Sequence, residues 1–412
     1  MDDTNTHALP ADPAPDDAPD AGRPVAAASP QAAPRVWIER IQLTSYRNYT
    51  TARVDVGHEP VVLCGPNGSG KTNLLEAISL LTAGQGLRRA PYPELARMGG
   101  QGWSVAARLH TPLGAVDIGT GVLPGQDAGR AGRTVRIDGE TQPAGALGDL
   151  VEIMWVTPAM DGLFTGAASE RRRFLDRLIA CFDPGYRKLV NQYERAMQQR
   201  NRLLADNVTE PARFEGFERI MSETGVAIAA ARAAAVAELS QAIIARRDAG
   251  IGAAFPWAEL ATEGALESQL ATQAAVDVED AFCETLARVR ERDRAVGRAL
   301  DGPHRSDLIV GHGPKEMPAK VCSTGEQKAL LIGLVLAHAD LVGRRHDGAA
   351  PILLLDEVTA HLDPVRRAAL FAEILALGSQ AWMSGTDVEA FSALGDKASR
   401  WAVEDGVVRR LS

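Results

Sequence analysis

Eight consecutive residues, Gly65, Pro66, Asn67, Gly68, Ser69, Gly70, Lys71 and Thr72, satisfy the pattern G-x-x-x-x-G-K-[ST]. Glycines at these spacings let backbone N–H groups wrap a chain of phosphates. The lysine reaches the β and γ oxygens, and the threonine hydroxyl can ligand Mg²⁺. The expected substrate is ATP or GTP. Far downstream, the apolar run Ile352–Leu355 ends in Asp356 and Glu357. Asp356 is placed to hold Mg²⁺ through water, and Glu357 to polarise an attacking water as general base. Taken alone, an acidic pair after a strand is more often a solvated loop. Downstream of a phosphate loop, it reads as chemistry. A second cradle opens the stretch "CSTGEQKALLIGLVL", where Ser323, Thr324, Gly325 and Glu326 stand at the start of an apolar helix pattern. A helix N-terminus with free N–H groups and hydroxyls favours an anion.

Elements must bring these pieces together. "PVVLC" before the phosphate loop reads as a strand and "NLLEAISLL" after it as a helix, the opening unit of an α/β nucleotide-binding sheet. Further strands are expected at "VWIERIQLTSY", "TARVDV", "SVAARLH", "AVDIGTGVL" and "RTVRIDG". Beyond "FTGAASERRRFLDRLIACFDPGY" the texture becomes helical, with a helix capped by Ser169 and stopped at Asp183-Pro184-Gly185. The longest helices expected are roughly 20 to 30 residues, or about 30–45 Å. After "DGPHRSDLIVGHG" the α/β texture returns with "PILLLDEVTAHLD", "QAWMSGTD" and "RWAVEDGVV". Asp363, just before Pro364, reads as a helix N-cap.

Composition sets outer limits. The chain has 412 residues, 45% of them hydrophobic, and a formal charge of -9. Residues 1–34 hold six Asp and one Arg, so this stretch carries -5 and the remainder -4. It is rich in Ala and Pro, has little to bury, and reads as a disordered tail without the basic start and apolar block of an export signal. Cys64, Cys181, Cys283 and Cys322 form no C-x-x-C pair, which points to a cytoplasmic protein without a disulfide framework or structural zinc. The best candidate for a membrane span, Ala329 to Val342, is interrupted by His338 and Asp340, so no membrane partner is expected.

Ser323, Thr324 and Gly325 lie 33 to 31 residues before Asp356, the order and spacing of the signature motif in ABC-type ATPases. With "LTSYRNY", "GPNGSGKTNLLEAISLL", "ERRRFLDRLI", "GPHRSDL", "STGEQKALL" and "LLLDEVTAHLD" in order, the chain resembles the RecF family of bacterial recombinational-repair ATPases, related to the chromosome-maintenance proteins. The resemblance implies an ABC-type α/β ATPase head with an inserted helical second lobe. The corresponding ranges are 1–34 for the tail, 35–165 for the first part of the head, 166–300 for the lobe and 301–412 for the rest. It implies ATP and Mg²⁺, a homodimer formed on ATP, and signature residues that cap the γ-phosphate held by the partner. Asp363 would lie in a loop at that interface. DNA, gapped or at a single-strand/double-strand junction, and a RecR-type mediator are the implied partners. Slow, DNA-stimulated hydrolysis would release the clamp. Where many ABC ATPases have a histidine after the "AWMSG" strand, this chain offers Thr386 and Asp387.

Phosphate contacts with DNA need positive charge rather than base-reading geometry. Arg171, Arg172 and Arg173 with Arg177, and Arg88 with Arg89, are the candidates, against the alternative of a solvated face. Arg47 is either near the nucleotide phosphates or an exposed turn residue. Two other functions share the motifs: a transporter ATPase subunit, disfavoured by about 250 residues between Thr72 and Ser323, and a structural module using ATP as dimer glue.

Overall fold

The computed structural model describes residues 35–125 and 132–411, together with Met1. The tail expected over 1–34 lies, apart from Met1, outside the described residues.

A sheet of six strands carries the two acidic and phosphate motifs. Its order is β15 (Val407–Arg410), β14 (Ser399–Glu404), β3 (Val61–Cys64), β13 (Ala381–Gly385), β12 (Ile352–Leu355) and β8 (Ile153–Val156), parallel except for the β14–β15 hairpin. Every residue of β3, β12 and β13 is buried. The apolar runs VVLC of β3 and ILLL of β12 are what a strand covered on both faces requires. Alternation divides them: Val61, Leu63, Ile352, Leu354 and Trp382 join one apolar cluster, while Val62, Cys64, Leu353, Leu355 and Met383 join another. The pairings Leu355↔Met383 and Cys64↔Gly385 align the C-terminal ends of three strands. Ligands of parallel sheets bind at that edge.

The first cluster is closed by an antiparallel sheet in the order β2 (Tyr49–Asp55), β1 (Trp37–Tyr46), β4 (Trp103–Thr111), β5 (Gly114–Val122), β6 (Thr134–Ile137), β7 (Glu140–Gln142), and by helix α1 (Lys71–Ser79). In β1, Ile38 and Ile41 both face the core although three residues apart, because the register with β4 shifts between Ile38 and Arg40.

The second cluster is closed by α2 (Ala168–Ala180), α3 (Tyr186–Ala205), α4 (Ala212–Asp248), α5 (Ala265–Leu270), α6 (Ala275–Arg288), α8 (Thr324–Arg345) and α9 (Pro364–Leu377), while α7 (Arg290–Val296) packs on α3. Three expectations need correction here. Ser169 lies inside α2, whose N-cap is Ala167. Helix α4 runs 37 residues, about 55 Å at 1.5 Å per residue, longer than the 20 to 30 residues expected, and packs against α3, α6 and α8. Gly225 does not break it, because a Cβ there would sit only 3.1 to 3.3 Å from Phe282, Tyr193 and Pro303; the glycine permits close packing. The lobe is also not purely helical: β10 (Asp307–His312) pairs with β9 (Ala258–Glu263) and β11 (Met317–Pro318), so "DLIVGH" extends the lobe rather than the central sheet.

Helix α4 also corrects the reading of hydropathy. It is long and apolar enough to cross a membrane by length and composition, with an 18-residue window of mean hydropathy 1.4, of which 44% is buried within the chain. Alanine supplies this hydropathy, while the helix also carries buried Glu218, Arg232 and Arg246.

Candidate nucleotide site

The loop between β3 and α1 is bent by Gly68 (φ 81°) and Gly70 (φ 119°), backbone conformations that side chains avoid. At Gly70 a Cβ would also approach Asn48 Nδ2 to 2.6 Å and the Tyr49 hydroxyl to 2.8 Å. Those two residues hold the loop from outside: Asn48 Nδ2 donates to Ser69 O (3.0 Å) and Tyr49 Oη to Gly70 O (2.9 Å). Lys71, 4% exposed, curls over the loop and donates to Gly65 O (2.7 Å) and Pro66 O (3.0 Å). Ser69 Oγ is buried without a hydrogen-bond partner inside the same loop. An orphaned hydroxyl beside a buried ammonium suits a phosphate chain.

Across the sheet edge, Thr72 Oγ1 donates to both Asp356 oxygens, at 2.9 and 3.0 Å. Ser384, at the end of β13, donates to Asp356 Oδ1 (2.6 Å) and accepts from the Glu357 N–H (2.9 Å). Glu357 Oε1 lies 3.5 Å from Lys71 Nζ and its side chain is 27% exposed. Its backbone sits in the left-handed region (φ 49°), a strained conformation for a residue with a side chain. One hydroxyl and one carboxylate fit Mg²⁺, which keeps several waters and takes its other ligands from phosphates. Among the described residues no group of three or more His, Cys, Asp or Glu forms a self-sufficient metal site.

Sequence reasoning missed Ser384, Asn48 and Tyr49. Ser384 immediately precedes Gly385 in "AWMSG", but its partners come from another strand. Thr386 and Asp387 are exposed, and Asp387 Oδ1 accepts from the Glu389 N–H (2.9 Å). Arg47 is bound to Glu76 on α1 through two contacts of 2.9 and 2.8 Å rather than standing as an open turn residue.

Ser323 is the N-cap of α8 in a reciprocal capping box, its N–H donating to Glu326 Oε2 at 3.0 Å. Glu326 also pairs with Lys315, and that bond, followed by those to Ser323, lowers its carboxyl to about 2. Among the described residues, Ser323, Thr324, Gly325 and Glu326 make no hydrogen bond or ion pair with the loop from Gly65 to Thr72. Asp363 caps α9, accepting from the Arg366 N–H (2.9 Å).

The profile of the RecF/RecN/SMC N-terminal domain family matches residues 37–382. The DNA replication and repair protein RecF of Mesorhizobium japonicum is 52% identical over 375 residues, spanning 90% of this chain and 97% of that relative. The chain belongs to the RecF family. RecF of Brucella suis is likewise 52% identical over 374 residues, covering 90% of this chain and 96% of that protein. A solved structure described as the recombination mediator protein RecF-ATP in the RecFOR pathway superposes with a TM-score of 0.79, covering 93% of this chain and 100% of that one at 20% identity. It shares the fold, an ABC-type ATPase head, with this RecF-family chain.

The arginines singled out for DNA separate into two groups. Arg171 is held by Asp307 (2.7 and 2.8 Å) and by Gly166 O (2.7 Å), and Arg172 donates to Ser306 O (2.5 Å). Both tie α2 to the segment leading into β10. Arg173 is exposed.

Proposed function

We propose that this RecF-family chain is an ATP-dependent DNA clamp: two copies close on ATP, hold gapped DNA or a single-strand/double-strand junction, and reopen on slow hydrolysis. Recombinational repair and replication restart are its setting, with a RecR-type mediator as partner. The names of the relatives, DNA replication and repair proteins, support that setting. The free cysteines fit a cytoplasmic compartment.

The observation that carries the proposal is the division of labour within one chain. Lys71, Thr72, Asp356 and Glu357 converge on one sheet edge, whereas Ser323 heads a different helix and is bonded to Glu326 instead. This division supports a composite site completed by the partner's signature. Lys71 and the loop N–H groups bind the β and γ phosphates; Thr72 and Asp356 would hold Mg²⁺, which supplies neutralising charge there. Glu357 accepts the proton of the attacking water as the oxygen bonds to the γ-phosphorus and the bond to the bridging oxygen breaks, leaving ADP and phosphate. ATPase activity and molecular mass, measured with and without gapped duplex DNA, test the reading. A dimer that requires ATP and turnover stimulated by DNA are expected. A monomer under every condition would reject the clamp.

A further inference from the structure

Two arginine-bearing stretches far apart in sequence, "GLRRA" and "SERRRFLDR", meet at one cavity of about 560 Å³ between the segment after α1 and helices α2 and α3. The division of their arginines is the informative feature. Arg88 turns away to Asn73 (2.7 Å) and Glu76 (3.4 Å), as Arg171 and Arg172 turn to Asp307 and Ser306. Arg89, Arg173 and Arg177 line the cavity instead, joined by Arg187 from the first turn of α3. Among the described residues none of Arg89, Arg173 and Arg177 has a carboxylate ion-pair partner.

Arg177 is the costliest of these. Its guanidinium lies 4.4 Å from the centroid of Trp155, its polar contacts are Trp155 O (3.5 Å) and Met160 Sδ (3.7 Å), and its Nε is buried without a partner. Burial pushes it down to about 10. A half-buried guanidinium without an anion is costly, and an arriving anion relieves that cost. Among the described residues Arg187 has Glu152 as its one ion-pair partner, 3.9 Å away, and burial holds that carboxyl up to about 7, so the pair is weakly neutralised. Of the acids in the wall, Asp176 is consumed by Arg232 (2.9 and 3.0 Å) and the Tyr186 hydroxyl (2.5 Å), leaving Glu170 and Glu194 exposed to solvent. Gln85 and Asn191 add amide donors.

We propose that this cavity binds phosphate groups, with the backbone of DNA as their source. Guanidinium forks match phosphate oxygens in geometry as well as charge, and backbone contacts need no base reading. The location adds a physical link to the nucleotide: the Leu87 N–H donates to Ser79 Oγ (2.7 Å) and Arg88 to Asn73, so the segment bearing Arg89 is pinned to the helix that begins with Lys71. The DNA source rests on the clamp reading; the phosphate chemistry of the cavity does not.

The test is an Arg89→Ala/Arg173→Ala double variant, both residues being exposed and dispensable to the core. Binding of a labelled gapped duplex in ATP should weaken at least about tenfold, and the slope of log affinity against log salt should fall by about two. Binding of a fluorescent ATP analogue should not change. In a second arm, inorganic pyrophosphate is titrated into Lys71→Met protein with and without the double change, and thermal stabilisation is read. Unchanged DNA affinity with pyrophosphate stabilisation abolished would support the phosphate site and assign it to a free anion. If DNA affinity and pyrophosphate stabilisation both survive, the cavity is no phosphate site. A chain that binds no DNA at all would reject the clamp while the second arm still decides the cavity.

Discussion

The Lys328 Nζ donates to the backbone carbonyl of Glu357 at 3.2 Å, joining the helix that begins at the signature to the peptide of the proposed general base in the same chain. Lys328 is 3% exposed, and burial lowers its pKa against the nearby acids Asp161, Glu357 and Asp356. With Ser384 gripping the Glu357 N–H, the strained peptide is held from both sides. Lys328 is therefore a positioning residue. Lys328→Met should lower kcat about tenfold with little change in the affinity for ATP, and Lys328→Arg should recover part of the loss. A rise in KM at unchanged kcat would show that Lys328 serves binding instead.

Glu357→Gln removes the base while leaving the phosphate loop intact. It should bind ATP as the unmodified protein does, accumulate as an ATP-bound dimer on DNA, and hydrolyse at least about a hundredfold more slowly. Single-turnover hydrolysis with mass measurement checks both; ordinary turnover would remove Glu357 from the mechanism.

Burial raises the Glu152 carboxyl from its ordinary 4.5 to about 7, only partly offset by Arg187. The folded state therefore keeps this proton longer than the unfolded chain. The resulting stability is complete below about 4.5 and is lost as the pH rises to about 7. Glu152→Gln should flatten that decline and stabilise the protein at pH 8 by on the order of 2 kcal/mol. Urea unfolding at pH 5 and pH 8 reads the difference, and equal effects at both would exclude Glu152 as its source.

Arg200 is fully buried between Glu218 Oε1 (3.0 Å) and Asp293 Oδ2 (2.8 Å), and also donates to Leu286 O (2.8 Å). It joins α3 to α4 and α7. Arg200→Met strands buried acid and should cost about 3–5 kcal/mol, measured by chemical denaturation. A loss below about 1 kcal/mol would mean that Arg290, which also binds Glu218, suffices.

The phosphate loop and the Asp356-Glu357 pair were legible because each is a short run whose chemistry and flanking elements are adjacent in sequence. Ser384, Asn48 and Tyr49 were not, since each reaches the site through tertiary pairing: Ser384 by the parallel register of β12 and β13, the other two by the turn between β1 and β2. Helix α4 exceeds the expected length because Gly225 continues it, and only packing on Tyr193 and Phe282 reveals why a glycine stands there. "DLIVGH" alternates as any strand does, so its sequence could not tell which sheet it joins. The Arg171–Arg173 run looked like a single patch; the fold divides it by face, two toward Asp307 and Ser306 and one toward solvent.

The composite site makes the most direct demand. Lys71→Met loses phosphate binding in its own loop, and Ser323→Arg keeps its loop but obstructs the cap it offers to a partner. Each alone should be inactive as a homodimer. In a mixed dimer, the Ser323→Arg chain supplies an intact loop and the Lys71→Met chain an intact signature, so one site is whole and the other carries both lesions. ATP hydrolysis is measured across mixing ratios, with differently tagged chains to establish that heterodimers form. If the signature acts on the partner's nucleotide, activity returns with a maximum near equal proportions. If heterodimers form and no ratio restores hydrolysis, Ser323 serves its own chain's nucleotide and the composite site is wrong.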